Sequence, residues 1–346
     1  MSHDVLTPAI DALASGRDLT EDQAAAVLSV MMAGEASDVQ IAAVLISLRT
    51  KGETVHELAG LARAMRELAT PVRPERTDLV DTAGTGGGRT TFNVSTTAAI
   101  IAAGAGCAVA KHGNRSATGL SGSADLLEAL GARLDLGPDD VARCIDEVGF
   151  GFMFAPAHHA ATRHVIPVRK ELAVRTIFNF LGPLANPARP DAMAVGVADV
   201  RMAELVAGVY AARGNRGLVF HGTDGLDELT TTSPSRVWLI SDGRVVETVL
   251  DPADLGIAAA QHADLVGGVA DHNAQVVRDL LDGASGPVRD IVLLNAAAAL
   301  LAFDGPDLDT DPAPKLAGGL ERAAAAVDSG AAKDVLARWV TATAAS

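Results

Sequence analysis

Three short stretches hold the residues whose types and spacing suit chemistry on a phosphorylated ligand. The first is Asp81-Thr82-Ala83-Gly84-Thr85-Gly86-Gly87-Gly88, with four glycines in its last five positions. Glycine reaches φ > 0 and carries no Cβ, so successive N–H groups of such a turn can converge on one anion. A helix expected to begin near Asn93-Val94-Ser95-Thr96 brings its positive end to the same place. No third glycine completes a dinucleotide fingerprint, and no Gly-Lys-Ser/Thr closes a P-loop. The second stretch, Lys111-His112-Gly113-Asn114-Arg115-Ser116, gathers a point cation, an imidazole, an amide and a guanidinium, the cations being suited to phosphate oxygens. Only five lysines occur in the chain, so one beside a glycine turn stands out from a solvated basic loop. The third is Asp227-Glu228, adjacent carboxylates of the kind that hold Mg²⁺ among its waters. Alone, such a pair is an ordinary surface loop; it gains meaning from the other two stretches.

The elements around these residues follow from hydrophobic period and caps. Thr20-x-x-Gln23, Ser37-x-x-Gln40 and Thr54-x-x-Glu57 are three capping boxes in the first seventy residues, each followed by apolar positions at helical spacing until Pro71 and Pro74. From Asp78 onward short strand candidates alternate with helical stretches: Leu79-Val80, Gly106 to Ala110, Gly149 to Phe154, Ala192 to Val197 and Arg216 to Phe220. A basic loop is expected at 111–116, and Ser241-Asp242-Gly243-Arg244 reads as a hairpin turn. The last seventy residues are helical in pattern. The fold class is therefore α/β, a small helical domain plus a larger α/β domain whose central, mostly parallel sheet is flanked by helices.

Composition bounds the partners. The 346 residues carry 28 Lys+Arg against 43 Asp+Glu, a formal charge of −15, which disfavours nucleic acid and anionic lipid. No apolar run reaches the length of a membrane span, and the start Met1-Ser2-His3-Asp4 has no secretory character. Two cysteines, Cys107 and Cys144, fit a reducing cytoplasm.

Taken together and in order, the stretches resemble the anthranilate phosphoribosyltransferases along nearly the whole chain. Gly84-Thr85-Gly86-Gly87 resembles that family's pyrophosphate loop, Lys111-His112-Gly113-Asn114-Arg115 matches its motif residue for residue, and Asp227-Glu228 resembles its Mg²⁺ pair. Arg175, in Val174-Arg175-Thr176-Ile177-Phe178-Asn179, sits where the family places the arginine facing the anthranilate carboxylate. The resemblance implies transfer of a phosphoribosyl group from phosphoribosyl pyrophosphate to anthranilate, with Mg²⁺ as cofactor and a homodimer as the assembly. It assigns the donor to Gly84, Thr85, Gly86, Gly87, Gly88, Arg89 and Thr91, with Asn93, Ser95, Thr96, Lys111, Thr118 and Ser121 completing that side. The metal falls to Ser95, Asp227 and Glu228, and the acceptor to Gly84, His112, Asn114, His159 and Arg175. No side chain acts as a nucleophile; catalysis is by position and charge. The implied domains are 1–70 with about 160–185, helical, and 71–159 with 186–346, α/β, the acceptor entering between them.

The chain departs from the family in three places. Gly86-Gly87-Gly88-Arg89 is one residue shorter than the usual loop and lacks its acid, leaving Arg89 to face a phosphate. After His159, Ala160 replaces the expected proline and Thr162 a bulkier residue. Thr118 stands where serine is usual. The changed acceptor region leaves room for a paralogue using another aromatic carboxylate. A nucleoside phosphorylase fits the motif order less well, and a nucleic-acid-binding relative would need a basic stripe that is absent. Arg163, Arg169 and Lys170 read as a solvated helix face, with a place near the cleft as the alternative for Arg169, and His158 and His159 as polar residues near a helix start.

Overall fold

The capping boxes set the first helices. In the computed structural model, which describes residues 2–116 and 119–345, helices span Ser2–Ala14, Glu21–Met32, Asp38–Lys51 and Val55–Glu67. Thr20, Ser37 and Thr54 each accept from the backbone N–H three residues on, and Gln23, Gln40 and Glu57 reach back to the cap. Glu57 does more than cap. Its fully buried carboxylate also accepts from Leu19 N (2.9 Å) and Lys51 Nζ (3.0 Å), so a charge that would be costly to bury alone is completely paired. The chain divides into two units, and this helical one combines 1–70 with Pro156–Pro187. Helices Ile166–Leu172 and Phe178–Leu184 belong to the second piece.

The other unit, Pro71–Ala155 with Ala188–Ser346, is built on a seven-stranded sheet. Its strands are β1 (Leu79–Gly84), β2 (Ala108–Gly113), β3 (Phe150–Phe154), β4 (Ala192–Gly196), β5 (Arg216–Gly222), β6 (Ser235–Ser241) and β7 (Arg244–Leu250). The order is β3-β2-β1-β4-β5-β6-β7, with β1 to β5 parallel and the last two pairings antiparallel. Strands run outward in both directions from the β1/β4 pair, so the carboxyl ends of those two strands open a crevice. Helices cover the sheet: every residue of Pro287–Asp304 from Ile291 to Ala302 is buried, and the helix Ala331–Ala344 sets Trp339 edge-on against Phe150 of β3, ring centres 4.8 Å apart. Such an aromatic contact contributes about 0.5–1.5 kcal/mol beyond the area it buries. The β6–β7 turn has Asp242 at φ 51° and Gly243 at φ 73°, the left-handed pair that a two-residue hairpin demands.

Two local expectations change. Lys111 and His112 are not in a loop: β2 continues through Gly113 because Lys111, His112 and Gly113 pair in register with Phe152, Met153 and Phe154 of β3. Both side chains are buried in consequence. Arg169 does not belong to a solvated face; its guanidinium lies 5.3 Å from the centre of the Phe178 ring, and burial lowers its pKa.

Candidate active site

The glycine turn leaves β1 at the crevice and is fastened to β4. Thr85 N donates to Gly196 O (3.0 Å), and Thr85 Oγ1 accepts from Ala198 N (3.1 Å). Gly86 and Gly87 take φ of 67° and 79°, which L side chains rarely adopt. With the chain so turned, Gly86 N donates to Asp227 Oδ2 at 2.7 Å, across 141 residues of sequence. The approach is close on every side of that carboxylate. A Cβ on Gly84 would stand 2.5 Å from Asp227 Oδ2, and one on Gly196 would stand 1.7 Å from the Asp227 carbonyl oxygen. Glycine is required here for close approach as much as for conformation.

Glu228 lies next to Asp227 and is buried. Its Oε1 accepts from Thr91 Oγ1 at 3.1 Å, while Oε2 has no hydrogen-bond partner. Burial, with Asp227 and Asp224 close by, pushes its carboxyl well above the usual range. A buried carboxylate oxygen left unsatisfied beside a second carboxylate is the arrangement that a hard cation relieves, since Mg²⁺ prefers one or two carboxylates and takes its other oxygens from hydroxyls, water or substrate phosphates. Among the described residues no group of three or more His, Cys, Asp and Glu is placed to hold an ion, so such donors would have to complete the shell. The residues fit Mg²⁺.

Behind the glycine turn sits Lys111, only 1% exposed. Its Nζ donates to Thr82 O (2.5 Å) and lies 3.4 Å from both Thr82 Oγ1 and Ser95 Oγ. Burial lowers its pKa to about 8. The helix Val94–Gly104 starts here without a side-chain cap; Val94 N donates to Phe92 O (2.7 Å), and the N–H groups of Ser95 and Thr96 are left to another acceptor. In its first turn Thr96 is buried with Oγ1 unpartnered. Asn93, just before it, ties three segments together: Nδ2 donates to Ser121 O (3.1 Å), and Oδ1 accepts from Ser121 Oγ (3.3 Å) and Asn273 Nδ2 (2.8 Å). Gly88 and Arg89 are exposed at the far end of the loop.

The basic motif splits into different tasks. His112 N donates to the buried Asp81 Oδ1 (3.2 Å), and Asn114 Oδ1 accepts from Arg115 N (2.7 Å). Arg115 turns away from phosphate duty: Nη1 pairs with Asp125 (2.8 Å) and Glu128 (2.6 Å), Nη2 with Glu128 (2.8 Å), and its guanidinium lies 5.5 Å from the Phe154 ring centre. Thr118 lies outside the described residues. Arg175 and His159 belong to the helical unit. Arg175 is exposed, and its carbonyl accepts from Arg49 Nη1 at 2.7 Å. His159 is buried, which lowers its pKa to about 4, so its ring is neutral near pH 7.

Residues 7–69 match the helical bundle domain of the glycosyl transferase family, and residues 76–333 its a/b domain. An anthranilate phosphoribosyltransferase from Arthrobacter sp. (strain FB24) is 55% identical over 337 residues, covering 96% of this chain and 95% of its own. The chain belongs to the anthranilate phosphoribosyltransferases. Among solved structures, the family member from Thermus thermophilus superposes with TM-score 0.90 at 44% identity, covering 97% of this chain and 99% of that one. The member from Saccharomyces cerevisiae, solved in complex with PRPP and Mg, reaches 0.89 at 25% identity, covering 99% of each chain.

In this chain, two residues that sequence reasoning passed over hold the Asp227-Glu228 loop. Asp224 accepts from Leu226 N (3.1 Å), from Thr230 Oγ1 (2.8 Å) and from Thr232 Oγ1. Asn295, from the helix Pro287–Asp304, bonds both backbone groups of Leu229. The available signal for Asn295 was its place in Ile291-Val292-Leu293-Leu294-Asn295-Ala296-Ala297, where a lone amide in an apolar helix must find partners.

Proposed function

We propose that this chain transfers the 5-phosphoribosyl group from phosphoribosyl pyrophosphate to the amine of anthranilate and releases pyrophosphate. The observation that carries the reading is Glu228, a buried carboxylate with an unpartnered oxygen beside the Asp227 that Gly86 holds.

In the reaction the amine nitrogen bonds to the anomeric carbon as the bond from that carbon to the pyrophosphate oxygen breaks. The ring oxygen shares the positive charge that develops, and the amine gives its proton to water. An aromatic amine is neutral near pH 7, so no strong base is needed to expose its lone pair. The protein's task is to hold both partners and to meet the charge that grows on the departing oxygens. The Gly84–Gly88 turn takes the pyrophosphate; its Thr85 and Gly86 N–H groups are spent on Gly196 O and Asp227 Oδ2, so Gly87 and Gly88 are left to supply the amides, with Arg89 at the loop's end. The 5′-phosphate takes the N–H groups at the start of Val94–Gly104 and the Thr96 hydroxyl, which otherwise has no partner. Lys111 supplies the buried positive charge on that side. Mg²⁺, when bound, neutralises phosphate oxygens, and Asp227, Glu228 and Ser95 are the residues that would hold it. By the resemblance, the acceptor falls to Gly84, His112, Asn114, His159 and Arg175, the arginine being suited to its carboxylate as a two-pronged donor.

The homodimer and a cytoplasmic location are also proposed. The resemblance supports the first. Two buried free thiols, pushed up to about 12 for Cys107 and about 11 for Cys144 by burial, support the second. No helix among the described residues is long and apolar enough to cross a membrane. The test of the activity is pyrophosphate release from purified protein supplied with Mg²⁺. Release should require the sugar pyrophosphate and anthranilate together. Release unaffected by leaving out anthranilate, or none with both present, would overturn the proposal.

A further inference from the structure

We infer that Asn295 is a positioning residue for the metal-binding pair: from a buried helix it fixes the peptide of Leu229, and through it the carboxylate of Glu228. The inference rests on the donor-site reading above and extends it to a residue outside that site.

Asn295 Oδ1 accepts from Leu229 N at 3.1 Å, and Nδ2 donates to Leu229 O at 2.8 Å. One amide thus pairs with both polar groups of one residue, as a neighbouring strand would. Its second Nδ2 hydrogen goes to Ile291 O, one turn back in the same helix, at 2.8 Å, which locks the side chain's direction. Both amide hydrogens and the acceptor oxygen are used, so a group that would be costly in a helix buried from Ile291 to Ala302 is fully satisfied. That helix packs against β1, β4 and β5 of the sheet.

The residue before Leu229 in the chain, Glu228, is where this anchoring matters. Glu228 has one protein partner, the Thr91 hydroxyl on Oε1, and its Oε2 has none. Burial resists its ionisation. A carboxylate with so few bonds of its own depends on backbone placement for the direction of its free oxygen. Asp224 steadies the loop on the other flank through Leu226, Thr230 and Thr232, but those bonds stay within the loop. Asn295 ties it to the sheet-covering helix, 66 residues away in sequence. Residues that orient metal ligands from behind typically alter metal affinity by about 10–100-fold when removed.

The experiment compares Asn295→Ala and Asn295→Ser with Leu300→Ala, a core truncation in the same helix. Each protein is titrated calorimetrically with phosphoribosyl pyrophosphate over a Mg²⁺ series, and its Tm is recorded. The Asn295 variants should need on the order of tenfold more Mg²⁺ for half-maximal uptake. Leu300→Ala, with a similar or larger fall in Tm, should keep the wild-type Mg²⁺ dependence. Titration with Mn²⁺ alone, followed by electron paramagnetic resonance, should show the same split. Equal Mg²⁺ dependence in all four proteins would overturn the inference, as would failure of both Asn295 variants to fold, which would leave the residue a purely structural part. Absence of Mg²⁺-dependent uptake by the wild type would instead overturn the donor-site reading beneath it.

Discussion

The N–H of Gly86 donates to Oδ2 of Asp227 over 2.7 Å, joining the glycine turn after β1 to the carboxylate pair after β5. The two stretches that the sequence separates by 141 positions are thereby one structure. Asp227, the proposed metal ligand, is thereby placed before any ligand arrives, so less ordering remains to be done on binding.

That closeness separates two glycine substitutions. Gly84→Ala would put a Cβ 2.5 Å from Asp227 Oδ2, the end of a side chain that can rotate away. The protein should fold and lose donor affinity by about tenfold or more, since the proposed metal ligand is displaced. Gly196→Ala would drive a Cβ to 1.7 Å from the Asp227 carbonyl, which is backbone and cannot swing aside. It should lose about 3 kcal/mol of stability or more. Thermal unfolding with donor titration reads both; equal stability of the two variants would contradict the packing described.

Lys111 holds its proton below about pH 8, where burial has set its amine. The kcat/KM for the sugar pyrophosphate follows the free enzyme, so it should fall above pH 8. In Lys111→Arg the guanidinium keeps its charge, and that alkaline limb should move beyond about pH 10. The stability effect has a definite sign. Unfolding returns the amine to its ordinary value of 10.5, so between pH 8 and 10.5 the unfolded chain binds more protons and stability rises with pH. Lys111→Met should therefore raise Tm over wild type at pH 7, and the gain should shrink towards pH 10.5. A gain independent of pH would argue against a buried charge.

Arg115→Ala tests the division of labour within the basic motif. Arg115 and Glu128 are exposed and Asp125 is half-buried, so the loss in stability should be about 1 kcal/mol. The KM for the sugar pyrophosphate should change far less than in Lys111→Ala. Comparable damage in the two variants would mean that Arg115 leaves its carboxylates to meet the ligand.

How much of this was legible in the sequence depended on range. The capping boxes at Thr20, Ser37 and Thr54, the glycine turn and the Asp242-Gly243 hairpin are written in neighbouring residues, and each forms as its local chemistry requires. Lys111 reads as a loop residue because nothing nearby signals that β3 pairs with it; that pairing, with Phe152, turns the cation into a buried one. Arg115 reads as a phosphate ligand until Asp125 and Glu128 arrive on the next helix. Asp224 and Asn295 carry no motif at all. Their importance comes from hydrogen bonds to the loop bearing Asp227 and Glu228, and only folding creates those.

Arg175→Ala addresses the acceptor alone. Loss of a two-pronged contact to a carboxylate should raise the KM for anthranilate by about tenfold or more, with the KM for the sugar pyrophosphate almost unchanged. Steady-state kinetics with each substrate varied in turn gives both values. Equal increases would contradict the role assigned to this exposed arginine.

Calorimetric titration of the folded protein with phosphoribosyl pyrophosphate, with and without Mg²⁺, tests the donor cradle most directly. Saturable uptake that strengthens with Mg²⁺, and that loses this dependence when Asp227 and Glu228 are both changed to alanine, is the predicted result. No uptake with Mg²⁺ present, or uptake indifferent to the loss of both carboxylates, would contradict the account.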